Sequence, residues 1–298
     1  MIDYIHKVVM LDNSTIEVLT TCPRKTYYAN ILKCTTSKPQ PALRFGSNLH
    51  AALAYRHRCE ARGLAWTEAT QLRILDKLFM AHPCEDEGWR NLGTAQTVLT
   101  KYNLQWQADK VEVARTPAGV PMVEVPFACK AGTVGMWTVI ATGRIDLVHR
   151  RQGRLVVRDH KTTSVVGDGY WMSAEMSAAQ RGYCWALWKT LGEAPQSYEI
   201  NAIITRAPSK TGTQVEFQRR EFPVSPEGLT EWHSNFMELA GYMVWLLESQ
   251  KFPMHTHHCM GKFGACQFYP VCSLPSGQRD TMLRSGDYKE NTWSPLYH

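Results

Sequence analysis

The sequence predicts an α/β protein built around a mixed central sheet flanked by helices. The hydrophobic periodicity is helical up to about residue 110 and strand-like after it. The strand-like part then reads as three strands, a helix, two strands and a helix, an order typical of α/β folds. Of the 298 residues, 44% are hydrophobic, which is enough for a sizeable core.

The N-terminal part, about residues 14–110, is predicted to be mainly helical. Ser14 and Glu17 have the spacing of a capping box, which predicts that a helix begins at Ser14. Pro23 fits either a break or the first turn of a second helix. Later helices are predicted over about residues 47–61, 67–82 and 91–108.

The sheet core is predicted over about residues 111–222. Its strands are expected over residues 122–130, 135–150, 153–163, 196–206 and 213–222, with a helix over residues 173–192. A C-terminal helix and a cysteine-rich segment follow over residues 225–274, and the polar tail 275–298 is expected to be peripheral. We therefore predict a single domain over residues 1–274.

Composition limits the class of protein only broadly. The formal net charge of +6 is compatible with a polyanionic partner but does not establish one. No apolar run is long enough to span a bilayer, and the N-terminus lacks a signal-peptide pattern. The odd number of cysteines, nine, disfavours a disulfide framework and favours a reducing compartment. We expect a soluble protein of the cytoplasm, or of the host cytoplasm if a phage encodes it.

One predicted hairpin carries an unusual set of charges. The stretch TGRIDLVHRRQGRLVVRDHKTTSVV, residues 142–166, places Asp146, Asp159 and Lys161 among apolar neighbours. A turn centred on Gln152-Gly153 would set Asp146 directly opposite Asp159. Lys161 would share the face of Asp159, because strand side chains alternate.

Like charges opposite each other destabilise a sheet, so this pair of carboxylates needs an explanation. A divalent cation between them would relieve the repulsion, and carboxylate oxygens suit Mg²⁺ or Mn²⁺. Such an ion can bind a phosphate oxygen and activate a water molecule, while Lys161 positions that water or stabilises developing charge. The alternative is an exposed hairpin whose carboxylates and lysine form ordinary salt bridges.

Two motifs of this hairpin resemble those of a known nuclease family. Gly143 to Asp146 and Asp159-His160-Lys161 resemble motifs II and III of the PD-(D/E)XK nuclease superfamily, in its RecB-like branch. The segment GSNLHAALA resembles the upstream helix of that branch, whose histidine often completes the metal site and corresponds to His50. The alternative for His50 is a histidine satisfied within its helix.

Two further segments extend the resemblance. QRGYCWAL resembles the helix that follows the DxK strand and carries a Gln and a Tyr that contact DNA, here Gln180 and Tyr183. These two residues are one position closer together than is usual in the family. STIEVLTTCPRKTYY resembles the opening helix of the iron–sulfur members, with Cys22 as the first ligand. The resemblance covers most of residues 14–273.

The resemblance implies a restriction-endonuclease-like core and a metal-dependent DNA nuclease. The implied reaction is hydrolysis of phosphodiester bonds, with an exonuclease preference for single-stranded DNA or DNA ends. Asp146, Asp159 and His50 would bind Mg²⁺ or Mn²⁺, and Lys161 would orient the attacking water. Glu124 is either a further ligand or base, or a solvent-facing strand glutamate. The alternative function is a non-catalytic DNA-binding or assembly subunit that retains the fold.

Contacts with DNA beyond the reaction centre are expected from basic residues near the N-terminus. Arg24 and Lys25 follow Cys22, and cations of this kind bind phosphates. Recombination or replication proteins would be natural partners of such a nuclease. The sequence does not indicate the polarity of digestion, the preferred DNA structure, the pathway or the oligomeric state.

Three cysteines near the C-terminus have the spacing C-x6-C-x5-C: Cys259, Cys266 and Cys272. With Cys22 they reproduce the distribution that holds a [4Fe–4S] cluster in iron–sulfur members of the branch. The cluster would join the N- and C-terminal segments. The alternatives are zinc, held by the same four cysteines or with His257 or His258, and a chance clustering of buried cysteines.

Overall fold

The computed structural model describes residues 2–38, 40–84, 88–109, 111–210, 212–261 and 264–296. The strands are β1 (Ile2–Asp3), β2 (Val8–Leu11), β3 (Cys34–Thr36), β4 (Glu112–Val113), β5 (Val123–Val134), β6 (Trp137–Arg151), β7 (Arg154–Thr163), β8 (Ser197–Ser209), β9 (Gly212–Pro223), β10 (Met260–Gly261), β11 (Gly264–Ala265) and β12 (Tyr288–Glu290). The helices are α1 (Asn13–Thr21), α2 (Pro23–Thr26), α3 (Pro41–Ala61), α4 (Glu68–Ala81), α5 (Leu92–Gln105), α6 (Asp168–Glu175), α7 (Ala178–Leu191), α8 (Pro226–Ser249), α9 (Tyr269–Cys272) and α10 (Ser276–Leu283).

The chain divides into two compact units. Unit 1 comprises Met1–Lys38, Pro126–Gly143 and Thr230–His298, and unit 2 comprises Pro39–Val125 and Arg144–Leu229. Strands β5 and β6 and helix α8 each begin in one unit and continue into the other. In the described part of the chain, no helix has the length and apolar character needed to cross a membrane.

Unit 2 contains the mixed sheet that the sequence predicts. Strand β6 pairs antiparallel with β7, β7 runs parallel to β8, and β8 pairs antiparallel with β9. Helices α3, α4 and α5 form an apolar core with residues that include Phe45, Leu49, Leu75, Leu99 and Ile203. Burial of these side chains is the main driving force for this layer, at about 25 cal/mol per Å² of apolar surface.

Unit 1 combines a short piece of sheet with the chain termini. Strand β2 pairs antiparallel with β1 and parallel with the first part of β6. The indole N–H of Trp137, at the start of β6, donates to Glu248 of α8 at 3.0 Å. Tyr28, Phe268 and Tyr288 form an aromatic cluster, in which the rings of Phe268 and Tyr288 are stacked at 5.7 Å.

The first helix begins one residue before the predicted position and has a different cap. Asp12 is the N-cap, and its carboxylate accepts the backbone N–H of Thr15 at 2.6 Å. The hydroxyl of Ser14 donates to the same carboxylate at 2.9 Å. The predicted capping box of Ser14 and Glu17 is therefore wrong. The side chain that caps the helix is that of Asp12, two residues before Ser14, and the N–H that it accepts is that of Thr15.

Other boundaries also differ from the prediction. Helix α3 begins at Pro41, well before residue 47, since proline fits the first turn of a helix. The helix predicted over residues 173–192 is two helices, α6 and α7, separated by Met176 and by Ser177 with extended backbone. The tail, predicted to be peripheral, forms α10 and β12, and it buries Leu283 and Tyr288.

Candidate functional site

The β6–β7 hairpin has the register that the sequence predicts up to a defined point. Residues Leu147 and Arg158 are paired, and the two-residue turn Gln152-Gly153 has positive φ at both positions, as tight hairpins require. The pair Leu147–Arg158 is the last one of the ladder on the side away from the turn, so Asp146 and Asp159, the next residue on each strand, are not paired. Beyond this point, the carboxylate of Asp146 accepts the backbone N–H of His160 at 2.8 Å. A side chain thus takes a donor that a regular ladder would use.

Three carboxylates of unit 2 act on one another at this end of the hairpin. Burial raises the pKa of Asp146 well above its ordinary value, and the charges of Asp159 and Glu124 raise it further. The side chain of Asp159 is only 4% exposed. Burial also raises the pKa of Glu124, although Arg144 and Arg58 oppose that shift. The structure therefore places the predicted candidate Glu124 beside the two aspartates.

Glu124 has an unusual backbone. Its φ is +52°, in the left-handed region that non-glycine residues rarely occupy. Residues in such conformations cost about 1–3 kcal/mol and occur preferentially at functional sites. The strand β5 is therefore distorted at the point where its carboxylate joins the group.

Lys161 lies beside these carboxylates. Its Nζ is 2.8 Å from Oδ2 of Asp159, and the side chain remains 48% exposed. The charge of Asp159, more than any other group, raises the pKa of Lys161, so that the amine stays protonated over the neutral range. Tyr183 contributes to the same shift, so it lies within electrostatic range of the ammonium.

His50 of α3 faces the same carboxylates. Its Nδ1 lies 3.8 Å from Oδ2 of Asp146. Burial lowers the pKa of His50 to about 4, although the charge of Asp159 opposes this shift. The ring is therefore neutral at pH 7 and has a lone pair available for a metal ion.

Several residues near the site were not singled out from the sequence. Burial raises the pKa of Tyr170, and the opposing influences of Lys161 and Asp159 place this residue close to both. The ring of His160 is buried and lies 6.0 Å from that of His50 and 5.5 Å from that of His57. The available signal for Tyr170 was its position, shortly after the DxK strand ends.

The predicted DNA contacts are placed in two different environments. Gln180 is buried, and its Oε1 has no hydrogen-bond partner among the described residues. In unit 1, the Nε of Arg24 donates to the carbonyl of Phe252 at 2.6 Å, and Lys25 lines a cavity. Their contacts with DNA, like that of Tyr183, remain predictions.

The cavity beside Lys25 is lined by all four predicted cysteine ligands. Cys22 directly follows α1, and its N–H donates to the carbonyl of Val18. Cys259 and Cys266 flank the β10–β11 hairpin, and the N–H of Cys266 donates to the carbonyl of Cys259 at 2.8 Å. Cys272 ends α9, one turn farther along. The turn between β10 and β11 lies outside the described residues.

Three of the four thiols, those of Cys22, Cys266 and Cys272, interact electrostatically. Burial raises the pKa of Cys272, and Cys266 and Cys22 raise it further, while Arg24 lowers it. The backbone N–H of His255 donates to Sγ of Cys22 at 3.4 Å, a contact that stabilises negative charge on sulfur. His255 and His258 also line the cavity, whereas His257 does not. The nine cysteines all lie in the described part of the chain and form no disulfide bond there.

Neither centre has a ready-made coordination sphere. Across residues 2–296, leaving aside the short undescribed gaps, no three His, Cys, Asp or Glu side chains are grouped so as to hold an ion as they stand. The donors are nevertheless of the right chemical types. Oxygen and neutral imidazole at the hairpin suit Mg²⁺ or Mn²⁺, and four thiols suit iron–sulfur or zinc.

Comparison with protein families identifies the fold. A sequence model of the PD-(D/E)XK nuclease superfamily matches residues 13–273. The chain belongs to this superfamily. The match includes Asp146, Asp159 and Lys161 on their two strands, and the observed mixed sheet with flanking helices is consistent with it.

Similarity to individual proteins is remote. The crystal structure of a protein named "Putative exonuclease", from Eubacterium rectale, is 12% identical with a TM-score of 0.47, over 89% of this chain and 94% of that one. The crystal structure of SSO0001 is also 12% identical, with a TM-score of 0.32, over 77% of this chain and 76% of that one. No curated protein sequence matches the chain significantly.

Proposed function

We propose that this member of the superfamily is a divalent-metal-dependent deoxyribonuclease. The observation that carries the proposal is the group of three carboxylates, Asp159 buried and Asp146 and Glu124 half-buried. Burial raises the pKa of Asp146, the charges of Asp159 and Glu124 raise it further, and a bound cation would offset that repulsion. A group of charges this unfavourable in the free protein is typical of a functional site.

Asp146, Asp159 and His50 are the residues that would hold Mg²⁺ or Mn²⁺. When bound, the ion would polarise a phosphate oxygen and lower the pKa of a water molecule. The ion pair with Asp159 keeps Lys161 protonated and directs its ammonium, which donates to the water or to the phosphate. Glu124, with its raised pKa, is suited either to ligate the ion or to accept the proton of the attacking water.

We extend this proposal to exonucleolytic cleavage of single-stranded DNA or DNA ends. The support is the resemblance of the residues around Asp146, Lys161 and His50 to the RecB-like branch. Tyr183, which lies near Lys161, would contact the bound strand, and Gln180 on the same helix would support it. Arg24 and Lys25, which belong to unit 1, would contact phosphates of the DNA.

Cleavage of labelled DNA tests the nuclease proposal. Single-stranded and duplex substrates, with free and with blocked ends, are incubated with Mn²⁺ or Mg²⁺ and with wild type, Asp159→Ala or Lys161→Ala. Lys77→Met is the matched control, because Lys77 is exposed on α4. We expect wild type and the control to cleave DNA with free ends, and the two site variants to be inactive. DNA with blocked ends should resist cleavage. Cleavage that survives both site variants would exclude this centre. Binding without cleavage in any metal would favour a non-catalytic assembly subunit.

We also propose that the cysteine cavity of unit 1 holds a [4Fe–4S] cluster. The support is that Cys22, Cys259, Cys266 and Cys272 line one cavity, although they lie at opposite ends of the chain. Such a cluster would hold α1 against the C-terminal segment. Free thiols and a structural cluster both fit the reducing conditions of a cytoplasm.

Metal analysis of anaerobically purified protein tests the cluster proposal. We expect brown protein with about four iron and four sulfide per chain, as the cluster formula requires. Cys266→Ala should abolish the colour, while Cys59→Ala, outside the cavity, should not. Colourless protein with one zinc per chain would replace iron–sulfur with zinc, and His258→Ala would show whether a histidine shares the ion.

A further inference from the structure

A polar row crosses three adjacent strands beneath the proposed metal site. His160 of β7 is the direct neighbour of Asn201 on β8, and Asn201 is the direct neighbour of Arg219 on β9. The residues His160 and Asn201 are 2% and 0% exposed. Burying polar groups this deeply costs free energy unless they are hydrogen-bonded to one another.

The hydrogen bonds of Asn201 fix how its amide is oriented. The Nε of Arg219 donates to its Oδ1 at 3.2 Å, so the other amide atom is the nitrogen. That Nδ2 donates to the hydroxyl of Tyr102 at 3.1 Å and lies 2.7 Å from Nδ1 of His160. Nδ1 of His160 must therefore be the acceptor, which leaves the proton of the neutral ring on Nε2.

The residue that Asn201 holds contacts two of the predicted metal ligands. The backbone N–H of His160 donates to Oδ2 of Asp146 at 2.8 Å. The ring of His160 meets that of His50 edge to face, at 6.0 Å between centroids. On its other side it stacks on His57 at 5.5 Å. The ring position is thus tied to both Asp146 and His50.

The end of the β6–β7 ladder makes this support important. Past Leu147 and Arg158, β6 no longer pairs with β7, so no ladder on that side fixes the strand at His160. The strand is held there by β8 and by the side-chain bond to Asn201. Groups that orient metal ligands from behind are a general feature of metal sites, and their loss typically weakens metal binding 10–100-fold.

We propose that Asn201 is a positioning residue of the metal site. By binding the ring of His160, it holds the N–H that orients Asp146 and the ring that contacts His50. The inference rests on the proposed function, since it assigns a role toward the ion that Asp146 and His50 would bind. Asn201 itself contacts neither the ion nor DNA.

Calorimetric titration with Mn²⁺ alone, without DNA, tests the role directly. We expect Asn201→Leu and His160→Leu to weaken Mn²⁺ binding by about 10–100-fold. His160→Asn should bind Mn²⁺ at least about threefold more tightly than His160→Leu, because its Oδ1 can accept from Asn201 where Nδ1 did, although it lacks the ring that contacts His50. In cleavage assays, the half-saturating Mn²⁺ concentration should rise by the same factor while kcat at saturating Mn²⁺ stays near wild type.

A matched control separates positioning from simple destabilisation. Gln71 is as deeply buried as Asn201 and accepts a hydrogen bond from Asn103 at 2.6 Å between helices α4 and α5. Gln71→Leu should lower thermal stability without weakening Mn²⁺ binding. If the leucine variants at Asn201 and His160 do not fold, Tyr102→Phe decides, with an expected loss of affinity of about tenfold, the lower limit for the loss of a group that supports metal ligands from behind.

The outcomes distinguish this inference from the nuclease proposal. Unchanged Mn²⁺ affinity in the leucine variants, or in Tyr102→Phe if only that variant folds, overturns the role of Asn201 while DNA cleavage by wild type still stands. Weakened binding in His160→Leu that is no tighter in His160→Asn also overturns it. A wild-type protein that neither binds Mn²⁺ nor cleaves DNA overturns both.

Discussion

The two candidate metal centres are built in opposite ways. The carboxylate centre places its ligands on long strands and on the 21-residue helix α3, above a buried polar row. The cysteine centre uses the end of α1, a hairpin of two-residue strands and the four-residue helix α9. Elements that short are not stable on their own. The residues of the first centre are thus positioned by stable elements, whereas the segment that carries the second would depend on what it binds.

If the cysteine cavity holds the proposed cluster, its loss should have the largest effect on structure, confined to the cysteine segment. We expect Cys272→Ser to make residues 250–290 sensitive to limited proteolysis, because structural metal sites contribute roughly 10 kcal/mol to the folding of small metal-dependent segments. Mass spectrometry of the fragments locates the cuts. Cys59→Ser is the control, and equal resistance of both variants would show that the segment folds without a cluster.

Asp146→Asn should separate metal binding from stability at the carboxylate centre. We expect Mn²⁺ affinity to fall by at least about 100-fold, the upper range for indirect changes. Without metal, the melting temperature should rise by about 2 °C, because the amide removes the repulsion from Asp159 and Glu124. Calorimetry gives both values. Asp76→Asn, an exposed change on α4, should alter neither, and a less stable Asp146→Asn protein would contradict this view.

The pH dependence of stability should come from the polar interior of unit 2. Burial, chiefly, lowers the pKa of His149 to about 3, with Arg158 adding to the shift. In the unfolded chain the ring takes up a proton below about pH 6.5, whereas the folded ring does not, so stability falls as the pH falls.

Between pH 8 and pH 5 this histidine should lower the free energy of unfolding by about 2 kcal/mol. The loss is about 1.36 kcal/mol for each pH unit below the pKa of the unfolded chain. Urea unfolding at both pH values should show a smaller difference for His149→Leu than for wild type. His82→Leu, at an exposed position, should keep the wild-type difference. An unchanged difference in His149→Leu would assign the acid sensitivity to other groups.

The smallest effect concerns the cap of α1, beside the cysteine centre. Asp12→Ala should lower the free energy of unfolding by about 1 kcal/mol, because the N–H of Thr15 loses its acceptor. Ser14→Ala should have less effect, since its hydroxyl only donates to Asp12. Thermal melts of the two variants compare them, and a larger loss for Ser14→Ala would restore the predicted capping box.

Local patterns were sufficient to predict the parts of the fold that follow from periodicity and turn chemistry. Strands β6 and β7 and their register could be predicted because apolar residues alternate on either side of Gln152-Gly153. The break between α6 and α7 was missed, although Ser177, the N-cap of α7, is a residue type that favours the start of a helix. The tail was misjudged because Tyr288 packs on Phe268, a contact that no local pattern encodes.

The candidate site was predictable only where its residues share a motif. Asp146, Asp159 and Lys161 lie close in sequence on one hairpin. Asn201 and His57 reach the same region from other elements, and a polar residue in a strand or helix gives no sign of whether it faces water or the interior. Long-range contacts of buried polar groups could therefore not be predicted from the sequence.

The left-handed backbone at Glu124 suggests a sequence difference between related chains that cleave DNA and related chains that do not. Glycine would adopt the same φ without the penalty of a side chain, so a role of the carboxylate in the proposed site would favour glutamate there. In a related chain that has lost catalysis, this position should be among the first to become glycine. Comparison of this position in relatives with and without measured cleavage would test the expectation.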